Sequence, residues 1–113
     1  MIKIYHNPRC QKSREALSLL QKSEKEFKII EYLKDTPTKK ELDDILKLLH
    51  IPAEKLVRKN ESIWKENFKD KNLTEDAILE ALVKYPKLIE RPIIINGNKA
   101  VIGRPPILIQ TII

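Results

Sequence analysis

The chain has 113 residues, 42% hydrophobic and 34% charged, a size and apolar content that suit one compact domain and exclude a disordered chain. Its net charge of +6 comes mostly from lysines interspersed with Glu and Asp. With no dense basic run and only 5% aromatic residues, this argues against nucleic acid as a partner and suits a small anionic one. The first residues lack a basic region followed by an apolar stretch, and no apolar run could span a bilayer, so a cytoplasmic protein without membrane association is expected.

Lys3-Ile4-Tyr5 reads as a short strand ended by His6-Asn7-Pro8, because Pro8 cannot donate to a ladder. Good helix formers follow from Gln11 to about Lys22, with Ala16, Leu17 and Leu20 on one face. Phe27 to Tyr32 alternates like a second strand, which completes a βαβ unit and implies a parallel pair. Thr38-Lys39-Lys40-Glu41 is a capping box that opens a helix with Leu42, Ile45, Leu46 and Leu49 in a stripe, stopping before Pro52.

From Ala53 to Lys71 the pattern is weaker, and Leu56, Ile63, Trp64 and Phe68 suggest one or two short helices. Thr74 caps a further helix carrying Ala77, Ile78, Ala81, Leu82 and Tyr85, with Pro86 at its end. Ile93-Ile94-Ile95, Asn96-Gly97 and Lys99 to Ile102 form two strands joined by a strong hairpin signal. Gly103 breaks the second strand, and Pro105-Pro106 opens a last short helix through Ile107, Leu108 and Ile112. The order is that of an α/β chain of the thioredoxin-like type: a βαβ unit, a helical insertion over about 36–86, a β-hairpin and a C-terminal helix, in one domain spanning 1–113.

The single cysteine, Cys10, stands at a strand-to-helix junction and cannot form an internal disulfide. A thiol acts as a nucleophile only when ionised. Three neighbours push in that direction: the unpaired N–H groups at the start of the following helix, His6, and the guanidinium groups of Arg9 and Arg14. The same helix start can hold a tetrahedral oxyanion, so nucleophile and anion would share one place. The alternative is a Cys packed as a small hydrophobe, with His6 as a surface imidazole. His50 resembles a helix-end residue without a role, and one Cys with two separated His does not make a metal site.

His6-Asn7-Pro8-Arg9-Cys10-Gln11-Lys12-Ser13-Arg14 resembles the active-site loop of the glutaredoxin-dependent, ArsC-like arsenate reductase family, written H-N-P-x-C-x-x-S-R. The resemblance continues through Leu56 to Glu61, Pro86 to Ile93, and Ile102-Gly103-Arg104-Pro105-Pro106, and is densest with the short branch carrying Arg-Pro-Pro after the last strand. It implies that Cys10 attacks arsenate to give a thioarsenate, that glutathione enters, and that glutaredoxin accepts the glutathione as arsenite is released. It further implies that Arg58, Arg91 and Arg104 hold the oxyanion, that His6 keeps the thiol ionised, and that Asn7, Ser13, Arg14 and a cis Pro92 support the site. For a lone arginine the alternative is a surface ion pair, and for Pro92 a trans bond at the start of a strand.

Ser13 stands where a Cys-x-x-Cys motif has its second thiol, so an external thiol must complete the cycle. Glutathione is thus expected as a co-substrate, with no bound cofactor, no metal and a monomeric chain. Two other readings remain open. One is an Spx-like regulator that grips RNA polymerase, a family that uses the Cys-x-x-Cys absent here. The other is a single-thiol oxidoreductase acting on a different oxyanion or on a glutathione mixed disulfide.

Overall fold

The computed structural model describes all 113 residues. They divide into two compact units, one formed by residues 1–35 and 91–113, the other by residues 36–90.

The first unit holds a four-stranded sheet of β1 (Ile2–Tyr5), β2 (Phe27–Ile30), β3 (Ile93–Asn96) and β4 (Lys99–Ile102), in the order β2-β1-β3-β4. β1 and β2 are parallel, as a crossover through α1 (Gln11–Lys22) requires, and the other two pairings are antiparallel. Ile2 and Ile4 from β1, Ala16 and Leu20 from α1, Ile94 from β3 and Ile109 form one core cluster. Its larger aliphatic side chains each contribute about 1.5–3 kcal/mol through burial. The segment expected as a last helix is a 3₁₀ helix, Pro106–Thr111, which packs on α1 and β4 through the fully buried Ile109.

Two boundaries in this unit differ from the sequence expectation. β2 stops at Ile30, not Tyr32, because its partner β1 ends opposite it at Tyr5, and the N–H groups of Lys34 and Asp35 turn back to the Glu31 carbonyl at 2.9 and 2.8 Å. The hairpin loop is Gly97-Asn98, one residue later than the Asn96-Gly97 pair, since Asn96 pairs with Lys99. Gly97 takes the positive φ of 62° that this tight turn needs.

The second unit contains α2 (Lys39–Leu49), α3 (Ser62–Asn67) and α4 (Glu75–Lys84). The capping box is formed: Thr38 Oγ1 accepts the Glu41 N–H at 3.1 Å, and Glu41 Oε1 accepts the Thr38 N–H at 3.4 Å. His50 closes α2 in the left-handed conformation, and Thr74 caps α4. Leu42, Ile45 and Leu46 of α2 are buried, as are Ile78, Leu79, Ala81 and Leu82 of α4, and the two helices pack together. Trp64 stacks on Phe68, which meets the edge of Tyr85. This unit runs on to Glu90, beyond the expected limit near 86, because Val57 bridges Ile89 and the Glu90 N–H donates to the Leu56 carbonyl at 2.8 Å.

Candidate active site

The loop from His6 to Cys10 is held by short polar contacts that its composition makes possible. Asn7 Oδ1 accepts the Arg9 N–H and the Asn7 carbonyl accepts the Cys10 N–H, both at 3.0 Å. Pro8 offers no N–H, but its carbonyl accepts Arg14 Nη1 at 2.9 Å, so Arg14 clasps the loop from the first turn of α1. Ser13 is fully buried beneath it: its Oγ accepts the Asn7 N–H at 3.0 Å and pairs with His6 Nδ1 at 2.6 Å.

Cys10 is the N-cap of α1 and is partly exposed. Its sulfur makes no full capping hydrogen bond. Burial raises the thiol pKa, but the Ser13 N–H, the Arg91 side chain and the Lys12 N–H outweigh that effect and leave it below its ordinary value. Free helix-start donors favour the anion, as does the guanidinium beside it.

His6 is buried, and burial lowers its pKa further than Glu31 raises it, with Arg14 adding to the fall. The imidazole therefore favours its neutral form, and its contact is Ser13. Arg91, Ser13 and Lys12 are the groups beside the sulfur, in place of the His6 charge that the sequence suggested.

Arg91 precedes a cis peptide bond to Pro92, as expected for that proline. Its charged form loses some stability to burial and regains more from Cys10 and Tyr32, so its pKa rises. Arg104, also followed by a cis proline, donates through Nη1 to the Arg91 carbonyl at 3.0 Å. Gly103 makes this approach possible, because its N–H donates to the Pro92 carbonyl at 2.8 Å where a side chain would collide with the Pro92 ring. Arg58 belongs to the second unit, where Glu61 lies 3.5 Å from its Nε and Glu90 lies 4.0 Å from its Nη1.

The residue that sequence reading missed is Tyr32. It is fully buried, and its hydroxyl lies near Arg91, Asn7 and Cys10 without hydrogen-bond geometry to any side chain. Burial raises its pKa against the lowering influence of Arg91. The available signal was its position, two residues beyond the last paired residue of β2. Beside the loop a groove of about 410 Å³ is walled in part by Arg9, Glu31, Leu33 and Lys34.

Together these residues form a partly exposed thiol, ionised more readily than usual, with helix-start donors and a guanidinium facing it. That arrangement can attack an electrophilic centre and hold the negative charge on the oxygens around it.

Comparison with known proteins agrees over nearly the whole chain. Residues 5–112 match the ArsC family. An uncharacterized protein of Escherichia coli K12, YfgD, is 47% identical over 93% of this chain and 90% of its own length. An arsenate reductase of Neisseria meningitidis is 42% identical over 92% of this chain and 91% of its own. The solved structure of an arsenate reductase from Vibrio cholerae superposes with a TM-score of 0.95 at 38% identity, covering 99% of this chain and 97% of that one.

Proposed function

The chain belongs to the ArsC family, and from that premise we propose that it is an arsenate reductase with Cys10 as nucleophile and glutathione and glutaredoxin as electron donors. The observation that carries this reading is the meeting of the Cys10 sulfur with Arg91 and the Ser13 and Lys12 N–H groups. They stabilise a thiolate in the free enzyme and charged arsenate oxygens in the transition state.

In the first step the Cys10 thiolate bonds to arsenic and one arsenate oxygen leaves as water after taking up protons. In the second, glutathione thiolate attacks the Cys10 sulfur. The As–S bonding pair stays on arsenic, which falls from As(V) to As(III) and departs as arsenite. Cys10 is left in a disulfide with glutathione, and both electrons have come from the two thiols. Glutaredoxin then removes the glutathione by thiol–disulfide exchange, since Ser13 offers no resolving thiol.

Arg91 and the helix start hold the oxyanion, and Arg104 braces Arg91 through its carbonyl. His6 acts through Ser13, holding the loop that presents the sulfur. Arg9 and Lys34 in the adjacent groove suit the two carboxylates of glutathione, and Glu31 suits its ammonium group. The chain works as a monomer in the cytoplasm, where those donors are plentiful; none of its helices is long and apolar enough to cross a membrane.

The test is arsenate-dependent NADPH oxidation coupled to glutathione, glutaredoxin and glutathione reductase. Wild type is expected to be active and Cys10→Ser inactive. A folded wild type with no arsenate turnover overturns the substrate, and activity retained in Cys10→Ser overturns the nucleophile.

A further inference from the structure

Tyr5, Ile30 and Ile93 form one row across the sheet, with Tyr5 in the middle. β1 and β2 run toward this row as they end, whereas β3 starts from it. Two residues beyond it along each strand stand Asn7, Tyr32 and Arg91, so three segments distant in sequence converge beside the Cys10 loop. Two of these three residues carry buried polar atoms without partners: the Tyr32 hydroxyl and Arg91 Nε. A buried donor or acceptor left unpaired destabilises a fold, and two of them near one another, close to a nucleophile, call for a function.

We propose that Tyr32 is a positioning residue for this site: its hydroxyl accepts Arg91 Nε–H and donates to Asn7 Oδ1, tying the arginine to the thiol loop when the site becomes charged. The Nη groups of Arg91 then remain free for the sulfur and for an oxyanion bound there. Arg91 supplies the donor, and Asn7 Oδ1 has a lone pair left after accepting the Arg9 N–H. The influence of Tyr32 on Arg91 and of Arg91 on Cys10 links the phenol to the thiol without direct contact with substrate. The oxyanion part rests on the arsenate reading above; the thiol part does not.

Tyr32→Phe removes only the oxygen. A purely structural hydroxyl that is buried and unpaired leaves the protein as stable or more stable when removed, with the thiol unchanged. The proposal expects the melting temperature to hold or rise while the pKa of Cys10, read from the pH dependence of iodoacetamide alkylation without arsenate, moves up. Arsenate kcat/KM falls about tenfold, the scale of one net hydrogen bond.

Arg91→Met supplies the second measurement, because methionine has no N–H for the phenol to accept. In that background Tyr32→Phe should leave the thiol pKa where Arg91→Met alone put it. An unchanged alkylation profile in Tyr32→Phe, or a full additional shift in the Arg91→Met background, overturns the proposal. A raised thiol pKa in Tyr32→Phe of an enzyme that does not turn over arsenate supports Tyr32 and overturns only the substrate.

Discussion

Replacing Gly103 by alanine tests whether close packing behind the site sets its chemistry. A Cβ at position 103 would lie 2.9 Å from Pro92 Cγ and 3.3 Å from both Ile109 Cγ2 and Ile94 Cδ1. Pro92, Ile94 and Ile109 are all fully buried, so none has open space to retreat into. The proline ring has no rotatable side chain to swing away, and the backbone around residues 91–93 must move. Overpacking of this kind costs about 1–3 kcal/mol. For a chain of this length, with an unfolding entropy near 2.1 cal/mol/K per residue, that is a fall in Tm of about 4 °C per kcal/mol.

The same displacement reaches Arg91 directly, through its bond to Pro92 and through the Gly103 N–H that meets the Pro92 carbonyl. A misplacement near 1 Å can reduce turnover about 10²-fold. Urea unfolding of Gly103→Ala should therefore show a lower midpoint with unchanged slope, and kcat/KM for arsenate should fall in protein that is still folded at the assay temperature. A midpoint and a kcat/KM both equal to wild type would refute the idea that the Gly103–Pro92 contact fixes Arg91.

Alkylation of Cys10 should titrate below 9.0, the ordinary thiol value from which it is shifted. The depressed folded pKa means the thiolate adds stability that is fully present above 9.0 and is lost as pH falls through the folded value; Cys10→Ser should flatten that alkaline rise in denaturant melts. His6 is also depressed, so the neutral imidazole contributes stability that is present above 6.5 and lost as pH falls through its folded value, and His6→Gln should weaken this acid dependence. Arg91→Ala should reduce arsenate kcat/KM about 10²-fold with the fold intact by circular dichroism, and unchanged kinetics would remove this residue from the oxyanion site. Arg9→Glu with Lys34→Glu should raise KM for glutathione but not for arsenate; equal rises in both would place glutathione elsewhere.

Much of this was legible in the sequence because the signals were local. Thr38 and Glu41 specify a capping box by spacing alone, and Pro8 followed by a run of helix formers places Cys10 at a helix start. The register was harder, since Asn96-Gly97 looks like a loop until the pairing of Asn96 with Lys99 is known. Side-chain partners were harder still. His6 is four residues from Cys10 and three more from Ser13, yet it bonds to Ser13, because the first turn of α1 folds that hydroxyl under the loop. Arg14 looked like a charge for the thiol and is a clasp on Pro8. Tyr32 carried no motif, and only the convergence of three strand ends gives it a place in the site.

The groups that lower the Cys10 pKa come from both ends of the chain's length. The helix-start donors are neighbours in sequence, whereas Arg91 arrives only when β3 pairs with β1. A nascent or partly opened chain that has formed α1 but not this pairing holds a thiol closer to an ordinary cysteine, slow to react with oxidants and disulfides. The nucleophile is thus armed in part by a long-range pairing of the sheet, and alkylation speed at neutral pH becomes a reporter of native pairing between β1 and β3.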